Sequence, residues 1–156
     1  YSSILNDEQE TISLAAHIAK SAVAGDIIAL TGDLGAGKST FARAFIRERM
    51  MDAALEVPSP TFTLVQTYDP EAGPRLLHTD LYRLSHPDDV EDLGLYDELD
   101  SSIMLIEWPD RMPDDWWQTA LDIKLSLAGS SESEKRSVSV SSQDKRWQSR
   151  LGNLLK

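Results

Sequence analysis

Residues 32–39 read Gly32-Asp33-Leu34-Gly35-Ala36-Gly37-Lys38-Ser39 and complete the pattern G-x-x-x-x-G-K-[ST]. No other stretch limits the fold as strongly, because this pattern works only where a strand turns into a helix. The glycines reach backbone angles closed to other residues and let amides approach a polyphosphate closely. Those amides, with the N-terminus of the following helix, form an anion site. Lys38 supplies a cation to the outer phosphates, and the Ser39 hydroxyl can ligate an accompanying Mg²⁺. The flanks agree with this reading. Asp26 to Thr31 is a short apolar run suited to a buried strand, and Thr40 to Met51 carries Phe41, Ala44, Phe45 and Glu48 at helical spacings. The segment predicts a nucleotide-binding loop.

The rest of the chain bounds the context. Its 156 residues are expected to form one domain over 1–156. Cys is absent, which removes disulfides and thiolate metal sites from consideration. No run approaches the roughly 20 apolar residues of a membrane span, and the start lacks a basic-then-apolar signal pattern. The expectation is a cytoplasmic protein without membrane contact. A net charge of −11 argues against a broad phosphate-backbone footprint. Arg43 and Arg47, four apart on one helix, read as a solvated face. Contact with RNA or DNA is therefore expected only through a partner.

Along the chain, Asn6 or Asp7 caps a helix running to about Val23, with Ile12, Ala15, Ile18, Ala19 and Ala22 as its buried stripe and His17 outside it. Pro58-Ser59-Pro60 breaks the chain after the second helix. Thr61 to Tyr68 and Arg75 to Leu81 read as a hairpin around Asp69–Pro74. A helix is expected from Ser85 to near Gly94, and a short one over Tyr96 to Leu99. Ser102 to Ile106 is an apolar strand ending at Glu107. Thr119 to Ala128 and Arg136 to Ser142 follow as strands, and Gln143 to Leu155 as a closing helix. This mixture predicts an α/β three-layer sandwich of the P-loop NTPase type, with a mixed sheet and helices on both faces.

Hydrolysis of a bound nucleotide needs an acid that positions metal and a group that orients water. Glu107 leads as the acid, because ligands in open α/β sheets gather at the carboxyl ends of strands. An acid ending a strand is also an ordinary solubilising feature. Asp80, inside His78-Thr79-Asp80-Leu81-Tyr82-Arg83, is the second candidate on the same logic. Trp108 can stack on a base or simply pack before Pro109. Thr61 lies in Ser59-Pro60-Thr61-Phe62-Thr63, a hydroxyl-bearing segment one element after the loop, like a switch segment. A guanine-reading N-K-x-D element is missing: Asn6 and Asn153 are the asparagines, and neither precedes Lys. Adenine is the better base.

Together these residues resemble a known family. The phosphate loop through Phe41, then Ser59-Pro60-Thr61-Phe62, then His78 to Leu84, then Leu105-Ile106-Glu107-Trp108-Pro109 occur in the order and spacing of the bacterial TsaE (YjeE) ATPases. The motifs span roughly residues 7 to 109. That family acts in biosynthesis of threonylcarbamoyladenosine at position 37 of tRNA. The resemblance implies an ATPase working with the threonylcarbamoyl transferase subunit and its inactive paralogue (TsaD and TsaB type proteins). It implies ATP and Mg²⁺ as ligands. Gly32, Leu34, Gly35, Ala36, Gly37, Lys38, Ser39 and Thr40 would hold phosphates, while Ser39 and Glu107 would hold metal. Asp80 would support metal or water, Thr61 would belong to a switch loop, Trp108 would lie near adenine, and Thr11 would contact base or ribose. One departure is Ser39 where Thr is usual, which keeps the hydroxyl.

The reaction so implied is in-line attack of water on the γ-phosphate, with a missing cation arriving from Arg83, Arg136 or a partner. A small-molecule kinase shares the loop but usually needs an Arg-bearing lid, and residues 84–102 contain no Arg. A nucleotide-dependent interaction module that does not hydrolyse remains the other alternative.

Overall fold

The computed structural model describes residues 1–130 and 132–154. Its centre is strand β2 (Ile27–Thr31), which lies between β5 (Ser102–Glu107) and β6 (Leu121–Leu127) and runs parallel to both. Ile27, Ile28, Ala29 and Leu30 are all buried, as expected of a strand covered on two faces. Outward from β5 come β4 (Arg75–Asp80), parallel, and β3 (Val65–Tyr68), antiparallel. Outward from β6 come β7 (Arg136–Ser141) and β1 (Ser2–Leu5), each antiparallel to its neighbour. The order is β1-β7-β6-β2-β5-β4-β3, a seven-stranded mixed sheet.

One face of the sheet packs on α1 (Glu8–Ser21), α2 (Lys38–Met50) and α6 (Lys145–Leu151). Ile28, Leu30 and Leu105 of the sheet meet Ile18, Phe41, Phe45 and Trp147 there. The other face carries only one-turn helices, α3 (Asp89–Asp92), α4 (Leu95–Glu98) and α5 (Asp114–Trp117). Their buried side chains Val90, Leu95 and Trp116 cover Ile27, Ala29, Met104 and Ile106. The three-layer, mixed-sheet expectation is met.

Several boundaries moved, each for a local reason. Asp7 is the cap of α1, its carboxylate accepting from the Glu10 amide at 2.9 Å. The strand expected from Thr61 begins only at Val65. The Leu64 amide donates to the Pro60 carbonyl at 2.7 Å, and Leu64 sits at φ 67°, so residues 61–64 close a turn instead. The helix expected from Ser85 is a single turn, since Asp89 uses its carboxylate on the Ser85 and His86 amides and Val90 alone is buried on α3. Strand β1 was not expected: its few residues show no alternation until β7 supplies a partner. Leu155 of the expected last helix lies outside the described residues.

Two polar locks hold the helices, one to the entry of the central strand and one to each other. Asp26, only 6% exposed, accepts from Arg150 of α6 through both oxygens, one at 2.9 Å, and from the Val23 amide at 2.7 Å. Arg49 of α2 donates to the Ala19 and Ala22 carbonyls at 3.1 Å each, satisfying the free end of α1. Breaking a buried pair leaves an uncompensated charge, so Arg150→Ala should lower unfolding stability by about 3 kcal/mol in urea titrations. Asp122 behaves oppositely. Burial raises its carboxyl above the ordinary range, with Lys124 only partly offsetting this, and Oδ1 has no partner. A raised folded pKa makes the charged form costly, so stability is gained as pH falls through it. Asp122→Asn should raise Tm near neutral pH, with the gain shrinking in acid.

Candidate functional site

The site begins where β2 ends. Gly32 has no room for a side chain: a Cβ there would stand 2.4 Å from the Leu125 carbonyl oxygen of β6. The chain must therefore pass tightly over β6 before turning into the loop. Gly35 at φ 81° and Gly37 at φ 107° then take left-handed conformations that L side chains resist. The Ala36 amide closes the turn onto the Asp33 carbonyl at 3.0 Å, and Gly37 caps α2 with no side-chain partner. The first amides of α2 are thus presented at the turn with the positive end of a thirteen-residue helix behind them. Leu34 at the tip is 94% exposed. It contributes backbone rather than packing.

Lys38 is only 8% exposed. Its ammonium donates to the Gly32 carbonyl and stands 4.3 Å from the centre of the Trp108 ring. Trp108 adopts φ 54°, a left-handed conformation costly for a bulky residue, and its ring tilts against Tyr82 at 5.0 Å. These groups edge a pocket of about 180 Å³ lined by Gly32, Asp33, Lys38 and Trp108.

The two candidate acids end adjacent parallel strands and are register partners, Asp80 of β4 facing Glu107 of β5. They are 5% and 7% exposed. Glu107 is therefore not a solubilising strand end. Asp80 accepts from the Tyr82 amide at 2.9 Å and from the Thr61 hydroxyl at 3.3 Å. Thr61 also meets the Ser59 hydroxyl at 2.7 Å, so the turn that displaced the expected strand delivers Thr61 to Asp80. Ser39, Glu107, His78 and Ser59 line one small cavity of about 40 Å³, whose wall Arg43 and Val57 complete.

Thr11 and Thr40 lie elsewhere. With Gly37, Glu8, Glu134 and Arg136 they line a separate pocket of about 200 Å³ on the other flank of the α2 N-terminus. Thr11 itself is 2% exposed. Trp108 and Thr11, both expected near the base, thus line different pockets. Arg83 stacks on the Phe62 ring at 5.9 Å. A larger groove of about 540 Å³ runs between α1 and α2 past Arg43 and Arg47. Arg43, expected on a solvated helix face, is half-buried there and also reaches the small cavity of Ser39 and Glu107, so it borders the acid site.

One member of the site escaped the sequence reading. His78 lies inside a quoted motif, but nothing in one sequence separates a buried histidine from any other strand residue. Two positions before Asp80 on an alternating strand, it faces the same side. Its Nε2 lies 2.6 Å from Glu107 Oε2.

The oxygen-rich donor set fits a hard cation. Among the described residues no group of three His, Cys, Asp or Glu could hold a metal unaided. Mg²⁺ characteristically binds through one or two carboxylates completed by substrate phosphates and water, so Glu107, Asp80 and Ser39 suit it better than they suit a protein-only cage.

Comparison with known proteins fits this geometry. Residues 5–138 match the family model described as threonylcarbamoyl adenosine biosynthesis protein TsaE. The chain belongs to the TsaE family. It is 43% identical over 105 residues to the tRNA threonylcarbamoyladenosine biosynthesis protein TsaE of Rickettsia felis, covering 67% of this chain and 60% of that protein's length. To the Streptomyces coelicolor protein of the same name it is 35% identical over 137 residues, covering 86% and 91%. The crystal structure of YdiB from Bacillus subtilis matches with a TM-score of 0.73 at 25% identity, over 99% of this chain and 93% of that one. The fold is therefore that of a P-loop NTPase-like TsaE protein. No helix among the described residues is long and apolar enough to cross a membrane.

The tight passage at Gly32 is directly testable. Gly32→Ala must push the loop away from Leu125, at an overpacking cost of about 1–3 kcal/mol. A Tm well below wild type is expected by calorimetry, and an unchanged Tm would show that the loop relaxes freely.

Proposed function

We propose that the chain is a Mg²⁺-dependent ATPase serving formation of threonylcarbamoyladenosine on tRNA. The observation that carries this reading is the meeting of Ser39, at the start of α2, with Glu107, at the end of β5, in one small cavity. In this reading the amides of residues 35–39 and Lys38 bind the phosphates of ATP. Lys38 exchanges its bond to the Gly32 carbonyl for phosphate oxygens while Trp108 keeps water from its flank. Ser39 and Glu107 would hold Mg²⁺, which would supply positive charge to the phosphates. Asp80, tethered by Thr61, orients the attacking water. Water attacks in line on the γ-phosphorus, the bond to the bridging oxygen breaks, and ADP and phosphate leave.

The nucleoside is placed in the pocket of Thr11, Thr40 and Arg136, which adjoins Gly37. This departs from the expectation of stacking on Trp108, whose ring faces Lys38 instead. Arg136 then lies beside the sugar or base, so the cation completing the transition state comes from Arg83 or from a partner. The partners proposed are the threonylcarbamoyl transferase subunit and its inactive paralogue. A charge of −11 favours contact with tRNA through them rather than directly.

The experiment is ATP hydrolysis with Mg²⁺, alone and with the transferase pair and its tRNA. Partner-dependent turnover that chelator abolishes supports the reading. Lys38→Ala should remove most ATP binding. Glu107→Ala should lose turnover by a hundredfold or more, roughly the scale of losing one preorganised electrostatic contact, while still binding ATP. Undiminished turnover in Glu107→Ala would overturn the assignment, and phosphate passed to a small metabolite would favour a kinase.

A further inference from the structure

We propose that His78 is a positioning residue that fixes the Glu107 carboxylate in the orientation needed to hold Mg²⁺. The proposal rests on the reading of Glu107 as a metal ligand given above.

The geometry is specific. His78 of β4 pairs in register with Leu105 of β5, so Glu107 is its diagonal neighbour on the same face of the sheet. His78 is 3% exposed, and its Nε2 meets Glu107 Oε2 at 2.6 Å. A carboxylate only accepts, so the imidazole proton at this contact belongs on Nε2. Among the described residues no other side chain or amide donates to the Glu107 carboxylate. Its second oxygen, Oε1, carries no hydrogen bond there. One oxygen is thus anchored to the sheet and the other is left for a ligand from the cavity shared with Ser39.

The other ring nitrogen supports a role beyond packing. His78 Nδ1 is buried and has no partner among the described residues. A buried polar atom without a partner is a cost that natural cores avoid, and an apolar side chain at this position would avoid it. The imidazole is retained although half of its hydrogen-bonding capacity is wasted, so what it supplies is the Nε2 contact. Glutamate has three rotatable bonds, and metal affinity falls when the group orienting a ligand is removed, typically 10–100-fold. Asp80 has the Tyr82 amide and the Thr61 hydroxyl for this purpose; Glu107 has His78.

The test is equilibrium binding of a fluorescent ATP analogue to the full chain, in EDTA and across a Mg²⁺ titration, with Mn²⁺ paramagnetic resonance as a direct count of bound metal. His78→Leu removes the donor and fills the space. His78→Gln restores an N–H where Nε2 lies. The half-saturating Mg²⁺ concentration should rise about tenfold or more in His78→Leu and return near wild type in His78→Gln. Nucleotide affinity in EDTA should stay within about twofold throughout, because metal-free phosphate contacts are untouched. If His78→Leu fails to fold, His78→Asn, whose amide ends near Nδ1 and falls short of Glu107, should show the same rise. Wild-type Mg²⁺ dependence in the variants lacking the donor overturns the proposal. So does an equal shift in His78→Leu and His78→Gln, which would mark a packing role. A wild-type chain that binds ATP with no Mg²⁺ dependence overturns the assignment of Glu107 itself, and the positioning role with it.

Discussion

The passage of the chain over the Leu125 carbonyl at Gly32 is the constraint on which the site depends. Because β2 lies between β5 and β6, whatever leaves its carboxyl end must clear one neighbour and come within reach of the other. A residue with a side chain cannot make that passage, since its Cβ would meet the carbonyl at 2.4 Å. Once through, the loop turns into α2 with Ala36 buried beneath it and Phe41 and Phe45 locked in the core. The loop's shape is therefore held by the sheet below it and the helix beyond it. The Asp26–Arg150 pair secures the other end of the same strand to α6.

The parallel run β4, β5, β2, β6 has a second consequence. Strands that run the same way end on the same side, so Asp80, Glu107 and the phosphate loop arrive together without any long connection. Residues 78, 80 and 107 share one face because of the two-residue repeat of β-structure and the register of β4 on β5. A slip of β4 by one residue would turn His78 and Asp80 to the face opposite Glu107. The buried acids are tolerable because each is hydrogen-bonded, Asp80 by Thr61 and the Tyr82 amide and Glu107 by His78.

The local pattern made the centre of the molecule legible. The apolar run before Gly32, the glycine loop and the spacing of Phe41, Ala44 and Phe45 gave β2 and α2 almost to the residue. Glu107 was legible because an apolar strand ended in an acid. What stayed hidden depended on partners far away in sequence. Strand β1 exists because β7 is beside it. The turn at Pro60–Leu64 overrode the β-branched composition of Thr61 and Thr63, and in doing so brought Thr61 to Asp80. His78 carried no mark of its bond to a residue 29 positions later. The separation of Thr11 from Trp108 likewise follows from how α1 lies on α2, which no periodicity encodes.

The most direct test of the account is a crystal structure of the chain with Mg²⁺ and a non-hydrolysable ATP analogue. The account predicts phosphates on the amides of residues 35–39, metal bridging them to Ser39 Oγ and Glu107, and the base beside Thr11 and Arg136. Phosphates bound away from the loop, or a metal held without Glu107, would contradict it.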